Sequence, residues 1–233
     1  MLITPFFSII LPTFNRRHLI KRAISSVLAQ SFTDFELIII DDGSQDDTFS
    51  IVRPFVEKDR RLRYHHAANR GLAMARNLGI TMSAGASSTM RTYITFIDSD
   101  DEYLPEHLTT RANYLTADPA IELLHGGVEV IGEAFVADKD DPSRRVAISD
   151  CVVGGTFFLR HDLIKRIGGY REVEYGDDAD LFERAQAAGV KIVKVNDATY
   201  RYYRTESDSL CSIAERSGID GIIEFRKGAA RLT

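Results

Sequence analysis

Continuous apolar runs alternate with segments of helical period along the first half of the chain. "FFSIILP" (Phe6 to Pro12) carries β-branched residues and is short enough for a strand buried on both faces. Ile20, Ile24, Val27 and Leu28 then recur at helical spacing. "FELIIIDDGS" reads as a second buried strand ending in two carboxylates, Asp41 and Asp42. Ser44 followed by Asp47 resembles a capping box and predicts a helix through Val52, Phe55 and Val56. "RLRYHH" predicts a third strand, "RGLAMARNLGI" a third helix and "TYITFID" a fourth strand. Pro105 suits the first turn of a helix carrying Leu108, Ala112 and Leu115.

Beyond about residue 120 the pattern loosens. "IELLHGGVEVIG" and "CVVGGTFFLR" predict strands, and the charge-dense "ADKDDPSRR" between them (137–145) predicts a mobile loop. "HDLIKRIGGY" reads as a short helix stopped by Gly168 and Gly169. "DDADLFERAQAAG" reads as another, with Leu181, Ala185 and Ala188 on one face, and "VKIVKV" as a last strand. Strands alternating with helices imply βαβ units and an α/β fold with a doubly wound, mostly parallel sheet. Ligands of such sheets bind beyond the carboxyl ends of the strands. Asp41, Asp42, Asp98 and Asp100 all fall at predicted strand ends, so they are expected to converge on one crevice.

Composition narrows the picture. The 233 residues fit one large domain or two small ones, and no internal repeat or evident linker divides them, so a single domain is expected. A net charge of -5 offers no general attraction to nucleic acid or anionic lipid. No apolar run approaches the ~20 residues that span a bilayer, which leaves only peripheral membrane contact open. The apolar start has no basic segment ahead of it, so it reads as a strand rather than a secretion signal, and a cytoplasmic location is expected. Cys151 and Cys211 form neither a metal-spacing motif nor a disulfide framework.

Three acidic groups could carry chemistry. In "FIDSDDEYLP", an extended chain past Ile97 would point Asp98 and Asp100 to one side and Ser99 and Asp101 to the other. Two converging carboxylates suit a hard divalent cation that also binds substrate phosphates. A solvated loop, with Asp101 supporting the next helix, is the competing reading. In "YGDDADLF", one carboxylate could serve as a general base, although a first helical turn also stabilises acids through the helix dipole. The dipole lowers a carboxylate's pKa and burial raises it, and both effects stay in play. Asp41 and Asp42 could accept a hydrogen bond from a ring N–H of uracil, thymine or guanine, or could merely solvate the turn at Gly43. No Walker A loop, GxGxxG fingerprint or GxSxG elbow is present. The glycine pairs in "GGTFF" and "IGGY" read as turns and caps.

Taken together, "SIILPTFNR", "AISSVLAQSFTDFELIIIDDGSQDDT", "NRGLAMARNLGI", "FIDSDDEYLPEHL", "LRHDLIKRIGGY", "DDADLFERAQAAG" and "YRYYRTESDSLCS" resemble glycosyltransferase family 2 in content and order. The resemblance implies a GT-A fold in a glycosyltransferase domain over 1–211, followed by a C-terminal helical extension over 212–233. Its nucleotide-binding part would span about 1–103 and its acceptor and catalytic part about 104–211. It implies an inverting transfer from a nucleoside-diphosphate sugar, with UDP favoured, to a carbohydrate or glycoconjugate hydroxyl, as in polysaccharide synthesis. Pro12, Thr13, Phe14 and Asn15 would line the nucleotide pocket, and Asp42 would meet the base. Asn69, Arg76 and Asn77 would close over the nucleotide. Asp98 would lie near the ribose and diphosphate, Asp100 would bind Mn²⁺ or Mg²⁺, and Asp178 would be the catalytic base.

Three places depart from the family pattern: "TMSAGASSTMRT" (81–92) is longer than the family's usual tight turn and is expected to be a mobile surface loop, and two single positions differ. Asp177 replaces the usual Glu before the base, and Arg204 stands where many members have His. Asp177 is thus a candidate acceptor contact and Arg204 a candidate diphosphate contact. Two rival classes remain. A haloacid-dehalogenase-like phosphatase would use "FIDSDD", but its motif belongs after the first strand and has Thr or Val where Asp101 stands. A non-catalytic sugar-nucleotide-binding module would be expected to lack Asp100 or Asp178.

Overall fold

The computed structural model describes residues 4–84, 92–141, 143–173, 175–205 and 210–231. In chain order the first half comprises β1 (Phe7–Thr13), α1 (Ile20–Leu28), β2 (Phe35–Asp41), α2 (Thr48–Lys58), β3 (Leu62–His66), α3 (Leu72–Met82) and β4 (Tyr93–Phe96). Then follow β5 (Glu102–Tyr103), α4 (His107–Ala117), β6 (Leu123–His125), β7 (Val128–Gly132), β8 (Phe135–Ala137), β9 (Arg145–Ala147) and β10 (Phe158–Arg160). The chain ends in α5 (His161–Arg166), α6 (Asp177–Ala187), β11 (Ile192–Lys194), β12 (Tyr200–Arg204) and α7 (Leu210–Arg231).

Seven strands form the main sheet in the order β11-β6-β10-β4-β1-β2-β3. Neighbours pair in parallel except at β10, which runs antiparallel to both β4 and β6. Alternation along β1 and β2 explains the double winding. Phe7, Ile9, Leu11, Leu37 and Ile39 face one layer with α1, Val52 of α2 and Leu108 of α4. Ile10, on the other face of β1, packs with Ile80, Leu163 and Leu181 from α3, α5 and α6. Both faces are therefore covered, which is why these strands read as unbroken apolar runs. A smaller sheet, β5-β12-β7, shares the core of the first through Tyr103 and Tyr200.

Several sequence expectations need correcting. Ser44 does not cap α2: that helix starts at Thr48 without a side-chain cap from Asp47. The Ser44 hydroxyl instead accepts the Asn15 amide at 2.8 Å. Pro105 precedes α4 rather than entering its first turn. The single strand expected over "IELLHGGVEVIG" divides at Gly126 and Gly127 into β6 and β7, which join different sheets. "CVVGGTFFLR" likewise divides into a 3₁₀ turn, Gly154–Thr156, and β10. Of the loop expected at 137–145, Ala137 ends β8, Arg145 begins β9, Asp138 N–H donates to the Arg144 carbonyl at 2.9 Å, and 142 lies outside the described residues. Of the loop expected at 81–92, residues 81 and 82 end α3, and 85–91 lie outside the described residues.

One close approach fixes α3 against the sheet. A Cβ at Gly79 would run into the Ile10 side chain, which is fully buried. Gly79→Val is therefore expected to destabilise the protein by about 1–3 kcal/mol, the usual size of core overpacking. Urea unfolding should show a lower midpoint with an unchanged slope.

Candidate active site

Beyond the carboxyl end of β4 the chain does not stay extended. Asp101 N–H donates to the Asp98 carbonyl at 3.1 Å, so Ser99 and Asp100 form a turn. Asp101 is fully buried and does not support α4 as a solvated acid would. Its carboxylate accepts the Tyr200 hydroxyl at 2.5 Å and the Tyr203 amide at 2.9 Å, tying β12 to the acidic turn. Burial, with Asp100 and Asp98 nearby, pushes the Asp101 carboxyl well above the usual range. Asp98 and Asp100 remain half-buried. Arg22 donates to the Asp100 carbonyl and stacks its guanidinium over the Tyr203 ring at 3.7 Å.

The opposite wall is the first turn of α6. Asp177 and Asp178 leave a helix about 100° apart, yet both reach one nitrogen of Arg76 on α3. Arg76 Nη1 donates to Asp177 Oδ2 and to Asp178 Oδ1, each at 2.9 Å, and Nη2 donates to Asp98 Oδ1 at 3.1 Å. Arg76 is 1% exposed, and its guanidinium lies over the Tyr170 ring at 4.9 Å. The second Asp178 oxygen accepts the Gly154 amide at 3.2 Å. A side chain at Gly154 would collide with that carboxylate, so the glycine in "GGTFF" makes room for the acid. Asp180 is bound elsewhere, to Arg184 one turn along at 2.7 Å.

These surroundings decide the contest between dipole and burial. A quarter of the Asp178 side chain meets solvent, yet burial among its neighbours is the largest influence on its carboxyl. Arg76 lowers its pKa, Asp177 and Asp98 raise it, the Gly154 amide lowers it, and the sum stands at about 7. Burial therefore outweighs the guanidinium and the Gly154 amide.

The nucleotide-side residues gather at the ends of β1 and β2. Pro12 and Thr13 close β1, and the Thr13 carbonyl accepts the Asp42 amide at 2.8 Å. Phe14 follows, half-buried. Asn15 takes a positive φ of 53°, and its Oδ1 accepts the Gln45 amide at 2.8 Å, pinning the two loops together. The Asp42 carboxylate accepts the Arg70 and Gly71 amides at 2.8 and 2.7 Å, and burial raises its pKa despite them. Asp42 and Asn77 line one cavity of about 250 Å³ with Ala67, Arg70 and Leu78. Asn77 spends its amide on the Tyr170 backbone, donating at 2.8 Å and accepting at 2.9 Å. Asn69 sits half-buried against Gly43.

Two of the expected convergences are not seen. Asp41 turns away from the acidic turn into its own network, accepting the Ser44 amide at 2.7 Å and the Tyr64 hydroxyl at 2.5 Å. Arg204 is buried against α7, pairing with Glu215 at 2.7 Å and reaching the Phe135 carbonyl at 3.4 Å. The Arg76 bridge is the feature that sequence reasoning missed. Its partners lie 22, 101 and 102 positions away, and only an unusually buried arginine inside an apolar helix face could have signalled it.

The family model described as "Glycosyl transferase family 2" matches residues 8–137. The GalNAc(5)-diNAcBac-PP-undecaprenol beta-1,3-glucosyltransferase of Campylobacter jejuni is 39% identical over 108 residues, 46% of this chain and 33% of that protein. The chain spans between 15% and 46% of the length of the first curated relatives it matches. Among solved structures, S. aureus TarS 1–349 with UDP-GlcNAc superposes with a TM-score of 0.69 at 21% identity, over 96% of this chain and 66% of that one. Mannosyltransferase PcManGT from Pyrobaculum calidifontis, with GDP-Man and Mn2+, gives 0.66 at 20% identity, over 93% and 59%. The likeness shows the GT-A fold.

Carboxyl-carbon NMR of the ligand-free protein tests the environment of Asp178 directly. Its titration is expected near pH 7. A midpoint in the ordinary carboxylate range, around 3.9, would show that the acid is solvated rather than enclosed.

Proposed function

The chain belongs to glycosyl transferase family 2, and from that premise we propose that it transfers a sugar from a nucleoside-diphosphate sugar to an acceptor hydroxyl with inversion. The observation that carries the reading is the meeting, through Arg76, of Asp98 beyond β4 with Asp177 and Asp178 on α6. Donor-side and acceptor-side acids thus share one crevice, where two reactants can be held in line. Asp178 accepts the hydroxyl proton as the acceptor oxygen bonds to the anomeric carbon. The bond from that carbon to the diphosphate oxygen breaks in the same displacement, and its electron pair leaves with the diphosphate. Attack from the face opposite the leaving group inverts the centre.

A base must be ionised to act yet basic enough to take a proton, which favours a pKa near the working pH. Asp178, at about 7, meets both demands. Activity should therefore rise with pH through about 7 as that carboxyl ionises.

Asp100, with Asp98 beside it, would hold a divalent cation. Among the described residues no three His, Cys, Asp or Glu side chains gather into a cation site. The donor set is oxygen only and small, which fits Mg²⁺ or Mn²⁺ completing its shell with water and donor phosphates. The charge balance favours this. Three carboxylates share one guanidinium at the crevice, an excess of negative charge that a diphosphate would only deepen. Such a cation would neutralise charge developing on the leaving diphosphate.

The donor base is read as uracil or thymine at Asp42, with Pro12, Thr13, Phe14, Asn15 and Asn69 around it. TarS supports this reading through its UDP complexes. The GDP-Man complex of PcManGT makes guanine the alternative to test. The Campylobacter relative supports a growing glycan as acceptor.

Calorimetry with UDP, GDP and CDP across a Mn²⁺ titration tests the donor side. UDP should bind best, and Asp100→Ala should weaken it chiefly when metal is present. Equal binding by mutant and wild type at every metal concentration would remove Asp100 from the site.

Single Asn variants of Asp177, Asp178 and Asp180 test the base by steady-state transfer. Asp178→Asn should lose ~10²–10⁴ in rate, the usual contribution of a positioned base, with UDP affinity preserved. The largest loss at Asp177→Asn would shift the assignment by one residue.

A further inference from the structure

We propose that Arg76 is a positioning residue, a buried fork that joins the donor-side Asp98 to the α6 acids and fixes how Asp178 faces the acceptor. The proposal rests on the transferase reading above and changes the role that family resemblance gives to Arg76, that of a nucleotide contact.

Burial leaves the guanidinium little to offer a nucleotide, since Nε–H, unpaired among the described residues, lies inside the protein. Its side chain is 2% exposed, and both terminal nitrogens already donate to carboxylates. Its body is enclosed by Phe96 and Tyr170, with ring centroids at 5.8 and 4.9 Å. The three acids come from two segments far apart in the chain, the turn after β4 and the start of α6. A planar fork can bridge them because its two nitrogens point in different fixed directions, whereas an ammonium is a point charge on a flexible stem. Asp178 is held at both ends, Oδ1 by Arg76 and Oδ2 by Gly154 N–H. Two donors on two oxygens fix the plane of the carboxylate and thereby its remaining lone pairs.

Among the described residues, charged and titratable groups reach Asp178 from several elements, and Lys139, beside Gly176, pairs its ammonium with Asp140 and Glu183. Arg76 faces it from α3, Asp98 from the turn after β4, and Asp177 from its own helix. Tyr170 stands before α6, and Cys211 on α7 also feels its charge. Arg76 is the cation that donates to Asp178, so weakening its contact must raise the Asp178 midpoint. Removing the Asp177 charge must lower it, because that neighbour raises it now.

The test uses carboxyl-carbon NMR titration of the ligand-free chain, wild type against Arg76→Lys and Asp177→Asn. UDP calorimetry and hydrolysis of UDP-glucose and UDP-N-acetylglucosamine accompany it. Arg76→Lys should move the Asp178 midpoint up and lower kcat by ~10²-fold, toward the size of a misplaced base, without changing UDP affinity. Asp177→Asn should move the midpoint down. A raised Asp178 midpoint with a loss in kcat and an unchanged UDP affinity is not what a merely structural arginine would give. If Arg76→Lys does not fold, Arg76→Gln, which keeps a neutral donor at that place, is titrated instead, with the same upward shift expected. An unmoved Asp178 midpoint, or a loss of UDP affinity as large as the loss in kcat/KM, would overturn the proposal. Absence of UDP binding and of hydrolysis in the wild type would instead strike the transferase reading, while the titrations still judge the coupling.

Discussion

One guanidinium holds the site together. Arg76 is buried, and an isolated charge there would be untenable, since desolvating an ion in a protein interior costs several kcal/mol. The surrounding carboxylates offset that cost only because each accepts a charge-assisted hydrogen bond at 2.9 to 3.1 Å. The dependence runs both ways. Without the cation, three acids would crowd one crevice; without the acids, the cation could not stay inside. Removing one member of such a buried set typically destabilises by about 3–5 kcal/mol. The α3 helix, the β4 turn and α6 are therefore fixed relative to one another by electrostatics as well as by packing.

The sheet brings those three segments within reach. Gly79 lets α3 settle on Ile10 of β1, which places Arg76, one turn earlier on the helix, above the carboxyl end of the strands. β4 pairs with β1 in register, Phe7 opposite Tyr93 through Ile10 opposite Phe96, so the acidic turn leaves at a fixed height. On the far side, antiparallel β10 brings in the 3₁₀ turn carrying Gly154 and Gly155. Gly154 admits Asp178 and Gly155 admits Tyr200, whose hydroxyl reaches Asp101. A pair that reads in sequence as an ordinary turn is thus the point where two buried polar networks pass closest to the backbone.

Legibility in the sequence followed the range of the interactions. β1, β2 and β4 were visible because burial on both faces makes a strand uniformly apolar, a local signature. The split of β6 from β7 was not, because the choice of sheet depends on Gly127 passing the Asp197 backbone, far away in the chain. Ser44 looked like a helix cap by spacing, yet its hydroxyl was claimed by Asn15 across a gap of 29 residues. The acids of the site could be found as motifs. Their division of labour could not: Asp98, Asp100 and Asp101 look alike in "FIDSDD", and only the tyrosines of β12 mark Asp101 as the structural one.

The same limit applies to the chemistry of Asp178. At the start of a helix a carboxylate is stabilised as the anion, by roughly 0.3–1 kcal/mol when exposed, which by itself would make a poor base at neutral pH. A shift of one pKa unit corresponds to about 1.4 kcal/mol, so burial needs only a few kcal/mol to reverse that preference. Arg76 pulls the other way, and without it the enclosed acid would remain protonated to still higher pH and could not accept a proton. Burial supplies the basicity and the guanidinium keeps it within a usable range, leaving the carboxyl at about 7. A helix start, an enclosing wall and one shared cation are each ordinary features. Their superposition on one carboxylate is what makes this acid, among the many in the chain, suited to take up a proton at neutral pH.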